Sequence, residues 1–204
     1  MLTTTIFGGN STDSKVKNGA VVDFSMDSVV GAEIAFSNDY GKIRAGYIQS
    51  EVTSNAVVPH PDLAMDESGA SFYGVGLNGD YEDFHIAAEY IVRDMDETGS
   101  PDINSYYAML GYTIGDFTPN YTYAVADSDM EFSSNPMVNG GRAMNLDDRT
   151  SHTIGLRYEV NAQAALKIEY NMATVTTSTY AGGTNLTETD EDANTMRVAL
   201  NVIF

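Results

Sequence analysis

The sequence predicts an all-β fold, an antiparallel transmembrane β-barrel with about ten strands. Three observations predict it. Apolar and polar residues alternate with a period of two in many segments, as they do in strands that have one apolar face. The connections between these segments are alternately short turns and long polar loops. The basic residues inside the predicted strands all occupy the polar phase.

The composition fits one domain of this kind over residues 1–204. The chain is 43% hydrophobic, with 18 Gly, 13 Tyr, no Trp and no Cys, and a single β domain commonly reaches this length. No stretch approaches the roughly 18 to 20 apolar residues of a membrane-spanning helix, whereas a spanning strand needs only about 9 to 11 residues with one apolar face. The absence of cysteine excludes disulfides and thiolate metal sites. The net charge of −19 excludes a nucleic-acid partner.

The first three predicted strands lie at the start of the chain. A weak segment at 2–8 is followed by alternation within 20–36, and a turn at 38–41 leads into a strand that begins at Ile43. The opening residues lack the basic region and the long apolar region of a secretory signal. We therefore expect either that a signal has been removed or that upstream sequence is missing.

The next four strands form two hairpins. Apolar residues alternate over 73–77 and over 84–92, with a short turn at 78–81 between them. The second hairpin covers 106–125 and turns at 115–116. Short polar or glycine-containing connections between alternating segments are typical of antiparallel hairpins.

Another hairpin turns at 161–163. Pairing the two strands outward from this turn places Arg157 opposite Lys167, with Glu159 and Glu169 beside them. The hairpin therefore predicts a ladder of charges on one face. Two interpretations remain open: a transverse field that filters solutes in a pore, or a structural network that neutralises itself in a wet interior.

The last predicted strand ends the chain. Its polar face begins with Arg197. Its apolar face consists of Met196, Val198, Leu200, Val202 and Phe204.

The long connections carry much of the negative charge. More than half of the 29 acidic residues lie in them, and the predicted strands hold six of the ten basic residues. Outer-membrane barrels have short turns on the periplasmic side and long loops outside, so one end of the predicted barrel is acidic. The long loops are predicted at 9–19, 53–69, 94–103, 127–149 and 174–194.

With these residues in view, the chain resembles a Gram-negative outer-membrane porin, specifically its C-terminal half. The resemblance rests on HTIGLRYEVNAQAALKIEY, on GVGLNGDYEDFHIAAEY and on the terminal MRVALNVIF. It implies a larger barrel of about 16 to 18 strands, of which the chain would be an N-terminally truncated part. A complete ten-stranded barrel is the alternative. The resemblance also implies that Phe204 is the signal read by the barrel-assembly machinery.

The candidate site is a set of charged residues in the polar phase of the strands, where they would line a pore. Tyrosines near strand ends would form interfacial girdles on the other face. The girdle candidates are Tyr73, Tyr81, Tyr90, Tyr112, Tyr121, Tyr158 and Tyr170. The pore-lining candidates are Glu33, Lys42, Arg44, His85, Glu89, Arg93, Arg157, Glu159, Lys167, Glu169 and Arg197.

The expected function is passive diffusion of small hydrophilic solutes and ions through an integral barrel of the outer membrane, among lipid and lipopolysaccharide. By resemblance, the barrel is a homotrimer. We expect no enzymatic activity, because His85 and its neighbour Asp83 lie near a short turn without further partners. We expect no cofactor and no metal site, since the acidic runs at 127–132 and 188–192 lack the spacing of a calcium loop. The alternative function is a small surface barrel that acts as an adhesin or structural interaction protein through acidic loops.

Overall fold

The fold is all-β. The computed structural model describes residues 1–17, 20–56, 65–96, 101–129, 144–181 and 184–202. None of these residues belongs to a helix of the length and hydropathy needed to cross a membrane. The strands are β1 (Leu2–Lys17), β2 (Ala20–Asn38), β3 (Gly41–Ala56), β4 (Met65–Tyr81), β5 (Phe84–Met95), β6 (Asp102–Tyr112), β7 (Phe117–Asp129), β8 (Met144–Asn161), β9 (Ala164–Ala181), β10 (Thr184–Asp192) and β11 (Thr195–Val202).

All strands belong to one antiparallel sheet in which chain neighbours are sheet neighbours from β1 to β10, and β11 pairs with β9. The last two strands share one position, because β10 pairs with the second half of β9 and β11 with its first half. The strands therefore occupy about ten positions, which confirms the predicted class and count. The sheet is open in the described residues, with β1 at one edge and β10 and β11 at the other.

The two faces of the sheet differ sharply. On one face, called here the apolar face, large side chains are exposed, including Leu110 at 54% and Ile154 at 57%. On the other, the polar face, charged side chains lie over small buried residues such as Ala35 and Ala165. The period-two pattern in the sequence produces this division, because successive side chains of a strand point to opposite faces. Water-soluble sheets bury their apolar face, and this sheet presents it outward.

Aromatic side chains gather on the apolar face near the short turns. Tyr40 and Tyr81 lie with ring centroids 6.1 Å apart, and Phe84 lies 4.7 Å from Tyr112 in the same way. A third pair, Phe117 and Tyr158, stacks at 4.7 Å. These rings form a belt along the end of the sheet that holds the turns.

A second aromatic belt lies nearer the other end. Tyr106 and Tyr123 lie 6.2 Å apart, and the Tyr121 hydroxyl is 2.7 Å from His152 Nδ1. On β4, Tyr81 belongs to the first belt and Tyr73 to the second, about 26 Å apart along the strand at ~3.3 Å per residue. A strand tilt of about 40° reduces this to about 20 Å, somewhat less than the ~25 Å apolar band of membrane barrels.

Most of the turn positions agree with the sequence prediction. Asn38 Oδ1 accepts hydrogen bonds from the backbone nitrogens of Tyr40 and Gly41, and Asn161 Oδ1 accepts one from Gln163. The turn predicted at 78–81 is wrong. Strand β4 continues to Tyr81, which pairs with Phe84. Asn78 and Gly79 are paired residues inside strand β4 and do not form a turn.

The five predicted long loops are shorter than expected. Strands reach Lys17, Ala56, Met95, Asp129 and Ala181, each inside a predicted loop. The most extreme case is 174–194, where β9 and β10 pair as far as Thr184 with Ala181. The segment 174–181 is rich in Thr and also contains Val and Tyr, and these residues favour extended backbone. Strands surrounded by water on both faces need no apolar face. These segments therefore lack the alternation of apolar and polar residues that predicts a strand.

The terminal strand is present as β11, with Met196, Val198, Leu200 and Val202 on its apolar face. Its edge is exposed along its whole length. Phe204, predicted to be the assembly signal, lies outside the described residues.

Candidate functional site

Four of the predicted pore-lining residues form a charge cluster on the polar face of β2, β3 and β5. Arg44 Nη2 lies 2.5 Å from Glu89 Oε1. Arg44 Nη1 lies 3.9 Å from Glu33 Oε2, and Lys42 Nζ lies 3.6 Å from Glu33 Oε1. We call Glu33, Lys42, Arg44 and Glu89 the β2–β5 cluster.

The Arg44–Glu89 pair depends on a glycine beneath it. Arg44 pairs in register with Gly76, and Gly76 pairs with Glu89, so the ion pair passes over β4. A Cβ atom at Gly76 would lie 3.2 Å from Arg44 Nε and 3.6 Å from Glu89 Cγ. Because Gly76 has no side chain, the Arg44 side chain has room to lie flat across β4.

The charges of this cluster remain in contact with solvent. The side chain of Arg44 is 47% exposed and that of Glu89 is 21% exposed. Exposed ion pairs contribute only about 0 to 1 kcal/mol to stability. The cluster therefore places fixed charges in a wet region more than it holds the sheet together.

His85 is the centre of a second polar network, at the end of the sheet near the short turns. Its Nδ1 lies 2.5 Å from Asp80 Oδ1, and its Nε2 lies 2.7 Å from Thr113 Oγ1. Thr113 Oγ1 lies 3.1 Å from Thr118 Oγ1. Asp83, the chain neighbour named in the sequence analysis, lies in the turn at residues 82 and 83, and Asp80 is the residue that pairs with His85.

The β8–β9 hairpin has the predicted register. Arg157 pairs with Lys167, and Glu159 pairs with Ala165. Within β8, Arg157 Nε forms an ion pair with Glu159 Oε1. Lys167 and Glu169, two residues apart on β9, have no ion-pair partner among the described residues.

Five of the predicted residues line one cavity of about 470 Å³ on the polar face. We call it the β5–β9 pocket. Its charged and imidazole side chains are His85, Arg157, Glu159, Lys167 and Glu169.

The floor of the β5–β9 pocket is a row of small residues around one amide. Gly111 pairs with Asn120, and Asn120 pairs with Gly155. The Asn120 amide lies over Gly155, where a Cβ atom would come within 2.5 Å of Oδ1. This arrangement leaves a donor and an acceptor of Asn120 beside the charged residues of β8 and β9.

The remaining predicted residues, Arg93 and Arg197, belong to neither group, although Arg197 lies opposite the pocket residue Glu169. Arg93 Nη2 donates to the Pro101 carbonyl oxygen over 2.6 Å, and its Nε is buried without a partner. Arg197 pairs in register with Glu169 at the open edge, but the two side chains make no ion pair in the described sheet. These two residues belong to different parts of the polar face.

Sequence reasoning missed Asp80, Thr113, Thr118 and Asn120. They are uncharged or were assigned to a turn, so a search for charges in the polar phase passes over them. For Asp80, the signal in the sequence is the strand register, because extending the 84–92 pairing back by one residue at a time places Asp80 opposite His85.

The acidic run at 188–192 lies on β10 and is hydrogen-bonded within the sheet. Thr176 Oγ1 donates to Asp190 Oδ1 over 2.7 Å, and Thr174 Oγ1 donates to Asp192 Oδ1 over 3.5 Å. On the other side of β9, Thr177 Oγ1 donates to Asp147 Oδ1 of β8 over 2.7 Å. Among the residues that the structure covers, no three His, Asp or Glu side chains are close enough to hold a metal ion. The run at 127–132 lies partly outside those residues.

The comparisons with known proteins agree with this geometry. No family model and no curated protein matches the sequence. Among solved structures, the chain is similar to an anion-selective porin from Comamonas acidovorans, with a TM-score of 0.57 and 17% identity over 100% of this chain. It is also similar to the outer-membrane expressed OmpT of Vibrio cholerae, with a TM-score of 0.55 and 12% identity over 95% of this chain. The fold is that of outer-membrane β-barrel proteins. This chain spans 59% of the length of the first structure and 64% of the second.

Proposed function

We propose that the chain forms a water-filled channel through the outer membrane of a Gram-negative bacterium, for passive diffusion of small hydrophilic solutes and ions. The observation that carries the proposal is the contrast between the two faces of one sheet. Exposed aliphatic side chains between two aromatic belts fit lipid. Half-exposed ion pairs on the opposite face fit water, because charged groups are costly in an apolar interior. The proposal includes no enzymatic step and no cofactor.

The charged residues of the polar face would act as a filter. A solute that passes between fixed charges is selected by its own charge and size. The β2–β5 cluster holds two acidic and two basic side chains within reach of one another, so it neutralises much of its own field. Lys167 and Glu169 leave their charges available to a passing solute.

The proposed assembly follows from the resemblance to porins. It is a homotrimer in lipid and lipopolysaccharide, inserted by the barrel-assembly machinery that reads Phe204. The fold likeness supports the membrane setting of this proposal, while the subunit number rests on the resemblance alone. Chemical cross-linking of the protein in native outer-membrane fractions tests it: a ladder that ends at three subunits is expected, and a band at one subunit alone contradicts it.

Planar-bilayer recording tests the channel. We expect stepwise, ohmic conductance from refolded protein whose circular dichroism and heat-dependent gel mobility show a β-barrel. Protein that meets both criteria and gives no steps overturns the proposal.

Charge substitutions in the β2–β5 cluster should change the ion preference of the channel in opposite directions. Arg44→Gln removes a positive charge beside Glu89, so the reversal potential in a KCl gradient should shift towards cation selectivity. Glu89→Gln should shift it towards anion selectivity, because Arg44 then lacks its closer partner. Two shifts of the same sign, or none, would show that these side chains do not face the ion path.

One observation favours the second candidate, a surface barrel that binds partners through its acidic end. The threonine hydroxyls of β9 hold the Asp190 carboxylate on one face of the sheet and the Asp147 carboxylate on the other, so carboxylates are held in place on both faces of this acidic end. The same recording separates the candidates. A refolded chain that does not conduct, and that retains a cationic protein only when Asp190 and Asp147 are intact, supports the surface function.

A further inference from the structure

We infer that the β5–β9 pocket binds a small zwitterion, a solute that carries one ammonium and one carboxylate group a few bonds apart. The inference rests on the proposed channel, because it assumes that water and solutes reach the polar face. It goes further by assigning a ligand class and naming the residues that recognise it.

The first step is the state of the charges in the pocket. The pocket contains two cationic and two anionic side chains besides His85. Arg157 and Glu159, two residues apart on β8, form an ion pair with each other. Lys167 and Glu169 have the same spacing on the adjacent strand, yet neither has an ion-pair partner in the part of the chain that the structure describes. One pair is internally satisfied, and the other is available.

The second step is geometric. Residues two apart on a strand point to the same face and lie about 6.5 Å apart between Cα atoms. Charge-assisted hydrogen bonds take about 2.8 Å at each end, and the ammonium and carboxylate groups of a short amino acid are themselves only a few ångströms apart. Flexible Lys and Glu side chains can therefore meet both ends of such a molecule at once.

The third step concerns the uncharged walls. Asn120 lies between Gly111 and Gly155, and its amide extends over Gly155 because that residue has no side chain. The amide offers a donor and an acceptor. Thr118 also lines the pocket and adds a hydroxyl of the same dual character. Mixed donors and acceptors suit a ligand that has both kinds of group.

The fourth step is discrimination. A simple anion at Lys167 would bind beside the Glu169 carboxylate, and a simple cation at Glu169 would bind beside the Lys167 ammonium. Each would gain one attraction and meet one repulsion. A zwitterion gains both attractions, so the pocket should prefer it over either singly charged analogue.

Saturation-transfer NMR on the whole chain, refolded in detergent micelles, tests the inference without requiring conductance. The probes are glycine, β-alanine and γ-aminobutyrate, with acetate and methylamine as singly charged analogues. We expect at least one amino acid to bind about tenfold more tightly than both analogues, and Lys167→Gln or Glu169→Gln to remove that preference. Glu82→Gln, a charge change in an exposed turn outside the pocket, is the matched control and should leave the preference intact.

The outcomes separate this inference from the channel. Amino acids that bind no better than acetate and methylamine overturn it, as does a preference that survives both pocket substitutions or that is lost equally in Glu82→Gln. Conductance without zwitterion preference leaves the channel standing and rejects the ligand class. Zwitterion binding that follows Lys167 and Glu169, in protein that does not conduct, supports the pocket and rejects the channel.

Discussion

At the scale of single residues, glycines decide where long charged side chains can lie. The polar face is built on small residues, and two of them let a neighbouring strand extend a side chain across it. Gly76 lies under the Arg44–Glu89 pair, and Gly155 lies under the Asn120 amide. The positions without side chains therefore shape the polar face as much as its charges do.

Gly76→Ala should loosen the Arg44–Glu89 pair. The added methyl group would lie 3.2 Å from Arg44 Nε, a distance that forces the guanidinium to move. We expect the free energy of unfolding to fall by about 0.5 to 1 kcal/mol relative to the control, which is the value of a favourable exposed ion pair. Urea titration in detergent micelles measures it.

The control is Gly46→Ala on the same face. A Cβ atom there meets only the Ala32 carbonyl oxygen, at an ordinary 3.6 Å. Equal stabilities of the two variants would mean that Gly76 is not needed for the pair.

The sequence predicted some of these residue contacts and not others. The Arg157–Lys167 register follows directly from the alternation on both sides of a short turn, so it could be counted from the sequence. The predicted turn at 78–81 hides the Asp80–His85 contact, because it assigns Asp80 to the turn; the register counted from the true turn at residues 82 and 83 places the two residues opposite each other. The direction in which Arg157 turns, towards Glu159, depends on side-chain geometry that no pattern contains.

At the scale of elements, the hairpins depend on turns that the chain makes in two residues. Between Ile114 and Phe117 the turn consists of Gly115 and Asp116, and Gly115 has a φ of 61°. A positive φ at the first turn position is typical of the type I′ and II′ hairpin turns, which favour glycine or asparagine.

Gly115→Ala should destabilise the β6–β7 hairpin through the backbone alone. No atom lies within 4 Å of a Cβ at this position, so the cost comes from the left-handed conformation and amounts to about 1 kcal/mol. Gly115→Asn should cost less, because asparagine tolerates this region. Chemical denaturation of the three proteins checks the order; an alanine variant as stable as the parent would contradict the assigned turn.

The long strands show where sequence patterns fail at this scale. Within the apolar band, one face needs apolar residues and the alternation is clear. Beyond the band both faces of β9 and β10 are polar, as the Thr176–Asp190 and Thr177–Asp147 hydrogen bonds illustrate. Strand pairing continues there without the signal that reveals it.

At the scale of the whole molecule, the orientation of the two faces determines what the sheet can do. Adjacent residues of β6 provide a direct test of that orientation. Leu110 is 54% exposed on the apolar face, while Met109 points to the β5–β9 pocket on the other side.

Leu110→Arg should hinder folding into lipid, and Met109→Arg should not. An arginine on the lipid side near the midplane costs about 2 to 4 kcal/mol, whereas interior positions tolerate charge. Folding yield into phosphatidylcholine vesicles, measured by heat-dependent gel mobility, gives the comparison. A loss confined to Met109→Arg would mean that the faces are assigned the wrong way round, and similar yields for both variants would mean that neither face is selectively in contact with lipid.

The directions of the two open edge strands restrict the number of further strands that could close the sheet into a ring. Leu2 pairs with Phe36 and Val202 pairs with Ala164, so the start of β1 and the end of β11 both lie at the end of the sheet that carries the short turns. The two edge strands therefore run in opposite directions. If alternation is kept around a closed ring, only an even number of strands can fill the gap, zero included. The same condition applies whether the filling strands come from the same chain or from another.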